Sequence, residues 1–263
     1  MEEILFLLLF LRDMKFNFLF ILFFVISVSF SQGKDAVIKY RQTGDVYFPY
    51  QMFCELAVHN NATIYLPKQS TKEYLKAKDQ NYFSKQEKVF LDYFFVKVDH
   101  ENQEVLLFDA FGGNKYLVQD DYQKLNWQIT PESKQIGDYQ CVKATLNFRG
   151  LDWEVWFTPD IPMPYGPWKL YGLPGLIVEA YSMDKVFTWQ LEKIEYKESV
   201  FFKKDFELLV ETKNDKAISL KQFVEDSEEY NANAYARLKQ QDPTMAEYTP
   251  IRVGFELRYE WEE

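Results

Sequence analysis

Two histidines and two cysteines are this chain's whole supply of the side chains that most readily ligate metals or attack substrates. His59 opens the cluster His59-Asn60-Asn61 and His100 opens His100-Glu101-Asn102, and neither has a histidine three or four residues away. A metal site needs clustered ligands, so both read as solvated turn histidines, and no metal or cofactor is expected. Cys141 lies between Gln140 and Val142 in a strand-like run, without the local glycine-rich or helix-start setting that would lower a thiol pKa. A core or disulfide role suits it better than nucleophilic attack. Asp152 and Glu154 share one face of a strand, as an acid/base pair would. That face lies opposite Trp153 and Val155, so a solvated outer surface explains both acids. Asp160 is the one acid on a stiff, proline-rich backbone, and its side chain is expected to cap a turn. No G-x-S-x-G, Walker loop or dinucleotide fingerprint occurs. No catalytic residue is assigned.

Aromatic residues remain. Trp153, Trp156, Tyr165, Trp168 and Tyr171 crowd around one rigid segment. Core packing is the usual fate of such side chains. A concave apolar sheet with a stiff aromatic rim would also hold an apolar ligand or a partner peptide. Trp156, Tyr165 and Trp168 are the candidate binding residues.

The element that must position them is Gly172-Leu173-Pro174-Gly175-Leu176-Ile177. Leu173 to Leu176 reads as a type II turn, with proline presetting φ and glycine supplying a positive φ. Gly172 is expected to allow a close backbone approach, and Leu176-Ile177-Val178 to enter the core as a strand. Turn geometry leaves Leu173 unexplained, so it is expected to be buried against residues 165–171 as a clamp. Residues 158–175 hold five of the ten prolines, which marks a rigid connection.

Elsewhere the chain reads as short strands from Ala36 onward. They run over 47–58, 62–66, 89–98, 104–110, 115–120, 125–129, 139–148, 151–158, 176–181 and 187–194. The clearest are 139–148, with Val142, Ala144, Leu146 and Phe148 on one face, and 151–158, with Trp153, Val155 and Phe157 on one face. Residues 67–88 are polar and read as a surface loop. Ser219-Leu220-Lys221-Gln222 is a capping-box pattern. Phe223, Tyr230, Ala234 and Leu238 then mark one face of a helix over 219–240, which stops before Asp242-Pro243. The expected class is α+β and β-dominated: an antiparallel curved sheet, a half-barrel-like meander, with the C-terminal helix covering a face or an edge.

The chain has 263 residues and a formal net charge of −10. Residues 16–30 (FNFLFILFFVISVSF) follow Lys15 and precede small residues at a cleavage site, the pattern of a secretory signal peptide over 1–31. Residues 1–13 read as a gene-model extension upstream of Met14. Fifteen residues span roughly 22 Å, short of a bilayer's ~30 Å core, so no stable anchor is expected after cleavage. The leader carries two basic and three acidic residues, so the mature chain, a single domain over 32–263, has a charge of about −9. An acidic surface disfavours nucleic acid. Export would permit a disulfide between Cys54 and Cys141, although two buried thiols fit as well.

Several motifs occur together in a fixed order: Cys141-Val142-Lys143-Ala144, Trp156-Phe157-Thr158-Pro159-Asp160-Ile161-Pro162, Gly166-Pro167-Trp168, and Gly172 to Ile177. In these the chain resembles the GLPGLI family, over residues from about 36 to 200 and without the helical tail. The resemblance implies an exported protein of Gram-negative envelopes, periplasmic or outer-membrane associated, of a kind often encoded near outer-membrane receptors. It brings no established activity and no catalytic residues. The meander with its helix also resembles, by fold-level analogy, the half-barrel of periplasmic lipoprotein carriers. The expected function is a non-enzymatic binding or assembly module, with an outer-membrane protein or an apolar ligand as partner. The alternative is a secreted hydrolase whose site gathers Asp160, Cys141 and His100.

Overall fold

Alternating apolar residues need a common core to face, and among the described residues twelve strands supply it in one sheet. The computed structural model describes residues 35–46, 48–70, 94–199 and 217–262. The predicted leader over 1–31, most of the predicted loop over 67–88 and the start of the predicted strand over 89–98 lie outside them. The strands are β1 (Ala36–Asp45), β2 (Pro49–His59), β3 (Ala62–Ser70), β4 (Phe95–Asp99), β5 (Glu104–Phe111) and β6 (Asn114–Asp121). They continue with β7 (Gln128–Ile136), β8 (Tyr139–Phe148), β9 (Leu151–Thr158), β10 (Leu176–Ser182), β11 (Phe187–Glu195) and β12 (Ile218–Ser219), followed by helix α1 (Leu220–Gln241). Their order in the sheet is β12-β6-β5-β4-β3-β2-β1-β11-β10-β9-β8-β7. Every pairing is antiparallel except β12 with β6.

Two-residue loops set the register of three hairpins. Asn60-Asn61, Gly112-Gly113 and Arg149-Gly150 all have positive φ at both central positions, the type I′ geometry that matches strand twist. The partners His59↔Ala62, Phe111↔Asn114 and Phe148↔Leu151 close these loops. β7 is more polar than its neighbours and carries Pro131, which suits an edge strand with few neighbours to satisfy. At the other edge β12 is two residues long and leads straight into α1.

The sheet is open, yet it bends. Arg149, in the β8–β9 hairpin, forms a bidentate pair with Asp120 on β6 at 2.7 and 2.8 Å. β6 and β9 stand eight places apart in the sheet. On a flat sheet they would be about 38 Å apart at ~4.8 Å per strand. The pair therefore closes across a concave face. One core cluster lines that face, with Ile38 and Tyr40 from β1, Leu56 from β2, Val105 and Leu107 from β5, Trp153 and Phe157 from β9, and Trp189 from β11. The predicted faces of β8 and β9 match this arrangement. Two smaller clusters sit on the convex side, Ile64 with Phe95 and Phe108, and Cys141 with Trp156 and Val178.

The turn before β10 differs from the type II expectation. The Leu176 N–H donates to the Ile161 carbonyl at 3.0 Å, and Gly175 N–H donates back to Leu173 at 2.8 Å. The proline-rich segment has thus taken the donor a type II turn would use internally. Gly172 has φ +93° with open space around it, so positive φ is its requirement and no close approach occurs there. The close approaches are at Gly166, where a Cβ would lie 2.7 Å from the Leu170 carbonyl, and at Gly175, where it would overlap the Thr158 carbonyl. Leu173 is 1% exposed, in the same cluster as Tyr165, Trp168, Leu170 and Tyr171.

Candidate functional site

A cavity of about 610 Å³ occupies the concave side of the sheet. Its floor comes from inward positions of β1, β2, β3, β5 and β6, including Gln42, Met52, Tyr65, Leu107 and Val118. One wall is the first half of α1, through Leu220, Phe223 and Val224. The other is the C-terminal segment from Tyr248 to Tyr259, with Trp168 beside it. That segment is pinned by Phe255, whose ring stands 4.7–5.2 Å from Trp168, Phe187 and Trp189. The N–H groups of Leu257 and Arg258 donate to the Arg149 carbonyl.

Polar groups in and beneath the floor are tied to one another. Gln42, 4% exposed on the same face as Ile38 and Tyr40, is the hub. Its Oε1 accepts from the Tyr65 hydroxyl at 2.7 Å, the Cys54 thiol at 3.2 Å and the Trp189 indole at 3.2 Å. Its Nε2 donates to the Tyr50 hydroxyl at 2.9 Å. Burial pushes both the Cys54 thiol and the Tyr50 hydroxyl up to about 12, so each stays neutral and serves as a hydrogen-bonding group.

A buried ionic cluster lies beside the cavity. Lys169, 2% exposed, donates to Asp120 and to Glu256 at 2.7 Å each. Arg149 pairs with Asp120, Glu256 and Glu260. Burial pushes the Asp120 carboxyl up, but Lys169 and Arg149 outweigh it and hold the group below the ordinary carboxylate value. Asp109 shares the inward face of β5 with Val105 and Leu107 and enters the cavity wall. Its Oδ1 accepts from the Ala110 N–H at 2.7 Å. Desolvation pushes its carboxyl up to about 6.

The sequence-derived candidates scatter. Trp168 borders the cavity and holds φ +58°, a costly conformation for a bulky residue. Tyr165 lies instead against His100, with ring centroids 4.8 Å apart. Trp156 is on the convex face, where its indole donates to Glu154 at 3.2 Å and Lys134 stacks over it at 4.3 Å. The three aromatics do not form one site, because alternation along β9 turns Trp156 away from Trp153.

The hydrolase trio does not gather either. His100 is no solvated turn residue: it packs among Tyr122, Tyr165 and Tyr171 and meets the Tyr122 hydroxyl at 3.1 Å. Burial pushes its pKa down to about 4. His59 is part-exposed and pairs with Asp35 at 2.8 Å. Cys54 and Cys141 are free thiols on opposite faces of the sheet, so the disulfide alternative does not hold. Burial, reinforced by Glu179, pushes the Cys141 thiol up to about 11. Asp160 is exposed and caps nothing: its own N–H donates to the Thr158 hydroxyl at 3.3 Å.

Among the described residues no group of three or more His, Cys, Asp or Glu is arranged to hold a metal ion. No helix of the described residues is long and apolar enough to cross a membrane. No family model matches the chain, and no curated protein matches it. Among solved structures it is similar to PNGF-II in two crystal forms, at TM-scores of 0.47 and 0.49 and 17% and 16% identity. Those matches cover 71% and 74% of this chain but only 31% and 33% of PNGF-II, so the chain spans about a third of that protein's length. A LolA superfamily protein from Nitrosomonas europaea matches at TM-score 0.30 and 7% identity, over 66% of this chain and 92% of that one. At such scores the site is read from its own residues.

Those residues were only partly legible in advance. Gln42 and Asp109 are polar residues standing at inward positions of alternating strands, a signal that was present. Lys169, Arg149 and Glu256 carry no such mark, because a loop, a hairpin turn and the C-terminal segment bring them together.

Proposed function

We propose that this protein is a non-enzymatic binding module whose cavity takes an apolar small molecule. The observation that carries the reading is the cavity. At about 610 Å³ it falls within the roughly 300–1,000 Å³ range of small-molecule sites, and its lining is more apolar than polar. The polar groups of the floor are mutually satisfied and electrically neutral, which suits holding a ligand and supplies no activated nucleophile. Export, membership of the GLPGLI family and work beside an outer-membrane partner belong to the same proposal. They rest on the leader pattern and the ordered motifs.

Titration with the neutral probe N-phenyl-1-naphthylamine tests the reading. Its fluorescence is expected to rise on binding with a micromolar Kd. Val224→Trp, which fills the cavity from α1, should weaken binding at least tenfold while far-UV circular dichroism stays unchanged. Absence of saturable binding by the parent protein, or equal binding by the folded variant, would overturn the assignment.

A further inference from the structure

The charges in the cavity wall are lopsided. Among the described residues four charged side chains border it, the acids Asp109, Glu228 and Glu256 and the cation Arg252. Arg252 is taken: it pairs with Glu228 at 2.5 Å and with Glu262 at 2.6 Å. Glu256 is taken too, by Lys169 and Arg149. Each of those two cations is already shared, Lys169 between two carboxylates and Arg149 among three. Asp109 alone of the wall's acids has no cation within ion-pairing distance among the described residues. Its one polar contact is the Ala110 N–H. Lys169 favours the Asp109 charge from beyond contact distance and Glu256 opposes it, and desolvation outweighs both; a cation arriving with the ligand would offset that cost.

We propose that the cavity takes an amphiphilic amine, its apolar body in the concave face and its ammonium head against Asp109. This rests on the reading of the cavity as a binding site. An anionic head is disfavoured by the same count, since it would meet Asp109 and Glu256 while Arg149, Lys169 and Arg252, the nearby cations of the described residues, are engaged. A neutral hydroxyl head could donate a hydrogen bond to Asp109 but would bring no charge to balance it.

Calorimetric titration of the full chain at pH 7.5 with octylamine, 1-octanol and octanoate separates the outcomes. Octylamine is expected to bind at least tenfold more tightly than 1-octanol, and octanoate more weakly than either. Asp109→Asn retains an oxygen for the Ala110 N–H, so the strand should stand. In this variant octylamine and 1-octanol should bind within about twofold of each other, with 1-octanol unchanged from the parent. Asp109→Glu, which keeps the charge, should restore most of the preference for the amine. Equal binding of the three octyl compounds by the parent, or an amine preference that survives Asp109→Asn, would overturn the cationic head and leave the apolar cavity standing. Failure of all three to bind would overturn both.

Discussion

Gly172 and Gly175 stand three positions apart in one motif, yet the structure needs them for different reasons. Gly172 has positive φ in open space, so alanine there meets backbone strain alone, on the order of 1–2 kcal/mol. At Gly175 the Cβ would overlap the Thr158 carbonyl, in the backbone of the neighbouring strand. Gly175→Ala is expected to lose about 3 kcal/mol or more in urea unfolding, clearly exceeding Gly172→Ala; equal losses would contradict the packing. Two acids give a second test, by pH. Asp109 has its folded pKa raised to about 6, so its penalty is full above that pH and fades as pH falls toward the ordinary value of 3.8. The full shift is worth at most about 3 kcal/mol, less for a partly exposed group. Asp120 has its folded pKa lowered, so its contribution is present above the ordinary value of 3.8 and is lost as pH falls below that. Asp109→Asn should therefore raise the urea midpoint at pH 7.5 and change it little at pH 4. An Asp109→Asn gain of the same size at both pH values would contradict this assignment.

Helix α1 shows how local signals and tertiary contacts divide an element between them. Ser219 caps it, its hydroxyl accepting from the Gln222 N–H at 3.1 Å. Only half of the predicted capping box forms, because the Gln222 side chain donates to Asp226 at 2.6 Å. Ser219→Ala should cost about 1 kcal/mol in thermal unfolding, while Gln222→Ala should cost less. The predicted apolar face is only partly used. Leu220 and Val224 are buried, and Phe223 packs on Phe111 and Tyr116 at 5.3 and 5.7 Å. Tyr230 is 42% and Leu238 53% exposed. The last turns meet the chain folding back after Gln241, as Tyr235 and Tyr248 stand 5.2 Å apart, so that end has no sheet to bury against.

Among the described residues, the C-terminal segment spans the concave face. Phe255 is the apolar fastener and Glu256 the ionic one, holding to Arg149 and Lys169. Phe255→Ala should lower stability by about 3 kcal/mol and speed hydrogen exchange at the Leu257 and Arg258 amides, which donate to the Arg149 carbonyl. Unchanged exchange there would mean that the ionic contacts alone hold the segment.

By itself the sequence determined the β-dominated class, most of the described strands with close bounds or near them, and the helix from Ser219. These depend on period-two alternation, on turn residues such as Arg149-Gly150 and on a cap, all readable from neighbours in the chain. It also exposed Leu173 as the motif residue that turn geometry does not need. Tertiary structure alone decided which aromatics meet. Trp156 and Trp168 look alike in sequence, but strand alternation sends one to the convex face and a left-handed backbone turns the other toward the cavity. It alone decided the fate of His100, a turn residue whose ring is enclosed by tyrosines from Tyr122, Tyr165 and Tyr171. The ionic cluster and the cavity wall were equally invisible. Asp120, Arg149, Lys169 and Glu256 are spread over 137 positions of the chain, and only the bend of the sheet brings them into contact. Ion pairs and cavities of this kind depend on closure in space, for which sequence neighbours carry no signal.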